Sequence, residues 1–225
     1  MSKKDSISQG YDLAAPWYDA WTWQTFWNRN EVPLVRASIA RFAGARKSID
    51  IGTGTGRYVS LLRQEGQCAY GVDSSKEMLS IAASKLNGNE QLVHADARSQ
   101  IFSTAYFDLA IAARMLCHVL DLESSFREIA RIVTSGGGLI VTELDHGHSF
   151  DKTRVPTPKG KIAIRTWKRN VNDLVQIAER VGWRIDELKR ISARECSWLP
   201  ERGKLSSINR STSQPIFNVI TLRRV

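Results

Sequence analysis

The sequence predicts a doubly wound α/β sandwich, a three-layer fold with a mostly parallel seven-stranded sheet, helices on both faces and an antiparallel last strand. Three observations carry this. From about Leu34 onward, short apolar runs alternate with stretches of helical period, the pattern of βαβ units. The runs, Phe107–Ala113 above all, are apolar almost throughout, as strands covered on both faces are. The first of them, Ser48–Ile51, opens into Gly52-Thr53-Gly54-Thr55-Gly56 and then a helix, and glycines there permit tight turning and close approach of backbone to a ligand.

Residues 1–33 carry Tyr11, Trp17, Tyr18, Trp21, Trp23, Phe26 and Trp27 at near-helical spacing, which predicts an aromatic-rich helical lid packed on a domain of residues 34–225. Within that domain Tyr58–Gln64 reads as a helix with Val59, Leu61 and Leu62 on one side, and Cys68–Val72 as a strand. Lys76–Leu86 follows as a helix with Ser74 or Ser75 as N-cap. Gln91–His94 and Phe107–Ala113 are the next strands. Leu122–Val133 is a helix with Phe126, Ile129, Ile132 and Val133 on one face, ended by Ser135-Gly136-Gly137-Gly138, and Leu139–Leu144 is a strand. Residues 145–169 are polar, basic and proline-containing with no clear period, so a long functional loop is expected. Val171–Val181 returns to helix, closed by Gly182. Trp183–Ile191 and Phe217–Leu222 alternate like strands that pair as an antiparallel edge, with a Ser-rich excursion over 195–215 between them.

Composition bounds the function. With 42% hydrophobic and 24% charged residues in 225, the chain can bury a sizeable core and is not mostly disordered. Cys68, Cys117 and Cys196 lie far apart, which suggests neither a disulfide framework nor a cysteine zinc site and fits a reducing cytoplasm. The first residues lack an apolar signal region, and no run approaches the roughly 20 apolar residues of a membrane helix. The net charge of +9 is unevenly placed: residues 1–150 hold 15 Lys and Arg against 16 Asp and Glu, residues 151–225 hold 17 against 7. That asymmetry reads either as a site for an anionic partner or as a solvated basic face.

The glycine turn gains meaning from Asp73, which ends the next strand where an acid can accept both hydroxyl protons of an adenosine ribose. Dinucleotide enzymes want G-x-G-x-x-G; here Arg57 stands at the last position and the third glycine comes one residue early, which argues against NAD and FAD. The ordered set resembles the class I S-adenosylmethionine-dependent methyltransferases, a Rossmann-like family. It comprises Asp50-x-Gly-x-Gly-x-Gly, Gly71-Val72-Asp73-Ser74-Ser75-Lys76-Glu77-Met78-Leu79, Ala95-Asp96-Ala97, Phe107-Asp108-Leu109, Leu116-Cys117-His118-Val119 and Gly136-Gly137. The opening Ala15-Pro16-Trp17-Tyr18-Asp19 is similar to the segment that precedes the domain in ubiquinone-biosynthesis and related small-molecule enzymes. The resemblance implies S-adenosylmethionine as cofactor and assigns roles. Gly52, Thr53, Gly54 and Gly56 would face its methionine portion and Asp73 its ribose, with Ser74 and Met78 beside the adenosine. Asp96 and Ala97 would meet the adenine, Ala113 would offer backbone near the methionine amine, and Tyr18 would close over the cofactor.

Methyl transfer from a sulfonium is an in-line displacement that asks for position and water exclusion. A general base is needed only where the acceptor is protonated. His118, after the fourth strand, is the candidate base, or else packs there. Arg114 would fork a carboxylate or phosphate, or else makes a salt bridge. Glu143, ending the fifth strand, would orient substrate. His146 and His148 beside Asp145 form H-x-H, but without a third histidine nearby no metal site is expected, and Cys117 fits a buried structural thiol. The expected acceptor is a small molecule, anionic ones included. The alternative is RNA, tRNA first, held by the basic last third, although no N-P-P-[YFW] tetrapeptide is present; a non-catalytic cofactor-binding subunit is a third class.

Overall fold

A computed structural model describes residues 5–88, 91–99, 101–147, 152–199 and 213–225. Three helices lead in: α1 (Asp5–Tyr18), α2 (Thr22–Asn30) and α3 (Val32–Ala40), the last opened by Pro33 in its first turn, where the missing N–H costs nothing. Then come β1 (Lys47–Ile51), α4 (Arg57–Gln64), β2 (Cys68–Asp73), α5 (Lys76–Leu86), β3 (Leu92–His94) and β4 (Phe107–Ala113). A 3₁₀ turn at Leu116–His118 leads to α6 (Leu122–Ile132) and β5 (Val133–Leu144). Side chains cap two helices: Ser75, as the sequence suggests, accepts from Met78 N–H at 3.2 Å, and Asp121 accepts from Ser124 N–H at 3.1 Å. After β5 lie β6 (Lys152–Thr157), β7 (Gly160–Arg165), α7 (Val171–Arg180), β8 (Trp183–Ser192) and β9 (Pro215–Arg224).

The main sheet has seven strands in the order β3-β2-β1-β4-β5-β9-β8, and β9 alone runs against the rest. Strand order reverses between β1 and β4, where Asp50 is paired with Gly71 on one side and Ile111 on the other. In open α/β sheets this switch point is where ligands bind, at the carboxyl ends of the strands.

Alternation in the strands feeds two cores. Leu109, Ile111 and Ile140 pack under α2, α3 and α4 with Phe26, Trp27, Val35 and Leu62. Ile49, Ile51, Ala110 and Ala112 pack on the other face with Phe126, Ile129 and Trp183. Both faces are apolar, so no polar alternation shows in the sequence. No helix among the described residues is long and apolar enough to cross a membrane.

The expected long loop is not irregular. Residues 152–165 form an antiparallel hairpin, separate from the main sheet, in which Lys152 faces Arg165, Arg154 faces Ala163 and Pro156 faces Lys161. Val155 and Ile164 bury its other face against Ala14 of α1, with Ile7, Tyr11 and Ile162 around them. The two-residue period is hidden in the sequence because Thr153, Thr157 and Gly160 dilute the inward apolar series and Pro156 and Ala163 stand among the outward cations.

Phe217 of β9 meets Trp27 and Phe26 edge-on at 5.6 and 6.1 Å between ring centres and is fully buried. Phe217→Ala should cost about 3–5 kcal/mol, read as a shift of the urea midpoint; an unchanged midpoint would show that α2 does not rest on this ring.

Candidate active site

The carboxyl ends of β1, β2, β4 and β5 open into one cavity of about 960 Å³, roofed by α1 and the β6–β7 hairpin. Its floor is the glycine turn. Gly52, Gly54 and Gly56 have φ of 74°, 53° and 85°, the left-handed region that glycine alone enters without penalty. Gly52 and Thr53 N–H both donate to the Val72 carbonyl, at 2.8 and 2.9 Å. Each glycine has a different reason. A Cβ on Gly52 would lie 2.7 Å from that of Met115, and one on Gly54 would meet nothing within 4 Å, its space being the cavity. A Cβ on Gly56 would press on Ala82 and Leu86 of α5 at 3.1 Å. Gly56 therefore does not face the cavity as the resemblance implied; it lets α4 and α5 approach.

Tyr18, Thr53, Asp73, Ser74, Met78, Asp96, Ala97 and Ala113 all line the cavity. Asp73 accepts from Gly54 N–H and Ser75 N–H, each at 2.8 Å. These bonds fix the carboxylate and leave lone pairs for a ligand's hydroxyls. Burial raises its pKa, and the backbone donors Ser75, Gly54 and Ser74 pull the other way. Asp96 is less free than expected: Arg98 forks it at 3.0 and 3.1 Å. Met78 is buried in α5 and at the same time touches the cavity. The leading segment is tied down at two points: Asp12 of α1 accepts from the Ser75 hydroxyl at 2.5 Å, and Asp19 accepts from Thr55 at 2.7 Å and from Lys85 at 2.9 Å.

Arg114 is the point of largest difference from expectation. It has φ of 54°, rare for a bulky residue and a mark of a constrained site. Its guanidinium does not fork an open ligand position. It is ion-paired with Glu31, which is fully buried, and lies 4.5 Å from the centre of the Trp27 ring. Glu31 also accepts from the Tyr58 and Thr142 hydroxyls, each at 2.6 Å. Sequence reasoning missed Glu31, because its partner is 83 residues away and nothing local marks it.

His118 also lines the cavity, but both ring nitrogens are engaged. Nδ1 is 2.8 Å from the Arg165 carbonyl and Nε2 2.8 Å from the Tyr11 hydroxyl. A carbonyl only accepts, so Nδ1 carries the proton and Nε2 accepts from Tyr11. Burial holds the imidazole pKa below its usual value, with the Arg165 carbonyl offsetting part of this. Tyr11, on α1, stands in the sequence as one aromatic of seven, with no sign that it partners this base. Glu143 accepts from Cys117 N–H at 3.0 Å, so it braces the turn bearing His118 as well as lining the cavity. The Cys117 thiol is pushed up by burial and then by Glu143, which leaves it inert. His146 stands 3.6 Å from Asp145; His148 lies outside the described residues.

Two buried acids, Glu143 and Asp50, and the half-buried Asp73 gather at the base of the cavity. Burial pushes Glu143 up to about 7. Asp50, just beneath the glycine turn, has no aligned hydrogen-bond donor on either oxygen; burial pushes it up to about 7, softened by the adjacent Thr53 hydroxyl. With Asp73 they make a floor suited to a cationic ligand. The residues fit S-adenosylmethionine: open space at Gly54, a fixed carboxylate at Asp73, and a second acid, Glu143, in the cavity lining that would favour a cationic cofactor.

Glu31→Ala strands a buried guanidinium and should cost about 3–5 kcal/mol, whereas Glu31→Gln keeps an acceptor and should cost less; equal unfolding midpoints for the two would contradict the pairing. The folded chain holds a proton on Asp50 that the unfolded chain releases near pH 4, so stability should fall as pH rises from about 4 to 7. Asp50→Asn should flatten that fall, measured as melting temperature across the range.

Comparison with known proteins agrees with this geometry. A family model described as a methyltransferase domain matches residues 49–141. An uncharacterised protein of Mycobacterium tuberculosis is 33% identical over 144 residues, 63% of this chain and 47% of its own length, so the chain spans about half of that relative. The demethylmenaquinone methyltransferase of Thermotoga maritima is 30% identical over 142 residues, 62% of this chain and 59% of that one. In fold, the CcbJ methyltransferase of Streptomyces caelestis aligns with a TM-score of 0.73 at 18% identity, over 98% of this chain and 99% of that one. Residues 49–141 thus carry a methyltransferase-domain match, and in sheet order and glycine-turn cavity the chain is similar to the class I S-adenosylmethionine-dependent methyltransferases.

Proposed function

We propose that the protein transfers a methyl group from S-adenosylmethionine to an O, N or C nucleophile of a small molecule bound in the same cavity. The observation that carries this is the cavity's size and continuity. At about 960 Å³ it stands at the top of the roughly 300–1,000 Å³ range of small-molecule sites, with room for cofactor and acceptor side by side. Tyr11, Tyr18, Trp21, Trp23 and Trp27 wall it with aromatic surface, and Trp23 and Trp27 stack 5.3 Å apart. Such walls suit a compact apolar body and exclude water from the reacting atoms. S-adenosylmethionine, when bound, supplies the electrophilic methyl group; the chain supplies position.

The tRNA reading gains little from the fold. Among the described residues, the basic excess of the last third is divided between paired and cavity-lining cations. Arg190 pairs with Asp145, Lys189 with Glu187 and Arg223 with Asp186 on β8 and β9, while Lys152, Arg154, Lys161 and Arg165 line the cavity. The acceptor in this reading bears negative charge toward the hairpin.

Where the acceptor must lose a proton, Tyr11 and His118 can take it as a pair. The Tyr11 oxygen accepts the acceptor's proton as its own passes to His118 Nε2, and the resulting imidazolium keeps its Nδ1 bond to the Arg165 carbonyl. The tyrosine serves as a carrier rather than a standing phenolate, since burial, followed by Tyr18, raises its pKa well above the ordinary value. Residues 5–33, the described part of the expected lid, are tied down through Asp12 and Asp19 and act as the lid.

Calorimetry tests the cofactor assignment. S-adenosylhomocysteine should bind and NAD should not. Asp73→Ala should weaken binding at least about tenfold, because buried hydroxyls lose a charged acceptor. Equal affinity in the variant would overturn the site.

A further inference from the structure

We infer that the open face of the β6–β7 hairpin is a phosphate-recognition site, and that the acceptor is a phosphate or diphosphate ester of a small molecule. This deepens the reading of the cavity as a joint cofactor and acceptor site, and rests on it.

The register puts the charges together. In an antiparallel pair, residues opposite one another share a face, as do alternate residues along each strand. Lys152 is opposite Arg165, Arg154 is opposite Ala163 and Lys161 is opposite Pro156. Four cations therefore share the face turned away from α1, spread over roughly 13 Å of strand at about 3.3 Å per residue, and all four line the cavity. Ala163, opposite Arg154, leaves space above that guanidinium. No acid occurs between residues 152 and 169, and among the described residues none of these four cations is paired with an acid.

The platform is fixed before any ligand arrives. Its rear, Val155 and Ile164, is buried against Ala14. Its exit is sewn to the turn after β4 by the His118–Arg165 bond and by Trp167 N–H donating to the Cys117 carbonyl at 2.8 Å. The Arg165 guanidinium lies 4.9 Å from the centre of the Trp167 ring, which limits its orientations. The site also adjoins the reacting end of the cavity, because Arg165 supplies the carbonyl that orients His118.

Charge count selects the ligand class. A lone carboxylate brings one negative charge and would leave most of this face unneutralised. A phosphate monoester brings about −1.5 to −2 near neutral pH and three strong acceptor oxygens, and a diphosphate brings more, over a length that spans both strands. The opposite ends of the cavity then differ in sign, with acids under the glycine turn and cations on the hairpin. Cofactor and acceptor would each be drawn to its own end.

The test titrates the full chain, saturated with S-adenosylhomocysteine, with inorganic phosphate, pyrophosphate and malonate at low salt. Pyrophosphate should bind saturably and more tightly than malonate. Lys152→Ala/Arg154→Ala and Lys161→Ala should each weaken it about tenfold or more, the scale of a lost charge-assisted hydrogen bond. Arg180→Ala, on the exposed end of α7, should leave it unchanged. S-adenosylhomocysteine affinity, measured in every variant, should stay within about twofold of the original and so reports that the variants fold. Absence of pyrophosphate binding, equal binding in the hairpin variants, or malonate binding as tightly as pyrophosphate would overturn the phosphate site. So would a single-stranded RNA held more tightly than pyrophosphate at physiological salt, which would assign the phosphates to a nucleic-acid backbone. Failure of S-adenosylhomocysteine to bind the unmodified chain is a separate result and would overturn the cofactor reading instead.

Discussion

The ion pair between Glu31 and Arg114 is the constraint around which the cavity is arranged. Burying two charges is costly, and a pair of this kind seldom adds net stability over an apolar replacement. What it adds here is geometry. Glu31 is held by groups from three other parts of the chain: Arg114 after β4, Tyr58 in α4 and Thr142 in β5. The carboxylate therefore locks the leading helices to the carboxyl ends of the strands. It also sustains the left-handed backbone of Arg114, whose N–H donates to the Thr142 carbonyl at 2.7 Å.

That bend directs the chain as it leaves β4. The backbone turns sharply at Arg114 and places Met115 against Gly52, so the glycine turn and the 3₁₀ turn define each other. Glu143 caps Cys117 from the next strand, His118 comes to the cavity wall, and its two nitrogens bind α1 and the hairpin. α1, the turn after β4 and the hairpin are thus linked through one imidazole. Moving α1 would release Nε2, and moving the hairpin would release Nδ1. His118 is aligned as a proton acceptor only when both are in place.

These relations divide by how far they reach along the chain. The strands, α5 and the glycine turn were legible because their causes are local: an apolar run, a serine cap, a glycine where the backbone turns left-handed. Asp73 was legible because the end of β2 fixes its place. The hairpin was not, since Val155, Ile162 and Ile164 make a sparse apolar series among cations and only the surface of α1 reveals that they face one way. Gly56 was misread because a motif does not say which side of a glycine is crowded, and here α5 crowds it. The place of Asp96 at the cavity is legible after β3, but not that Arg98, two residues on, already holds it. For Glu31 there was no signal at all: an isolated acid between Asn30 and Val32 gains meaning only when the fold brings Arg114 to it.

The two ends of the cavity bear differently on rate. An acidic floor attracts a sulfonium, but in the proposed reaction methyl transfer removes that positive charge, so the floor holds the ground state at least as well as the transition state. By itself it secures binding and does not accelerate the step. Acceleration has to come from holding the nucleophile in line and dry, for which orientation can supply about 7–11 kcal/mol. The hairpin and the aromatic wall are suited to that work. A charged end gripped by fixed cations and an apolar body laid against Trp23 and Trp27 would leave a bound acceptor little freedom to rotate away from the methyl group. A rigid roof is then worth more than a strong base, which accounts for a His118 that is neutral, half-buried and hydrogen-bonded at both nitrogens.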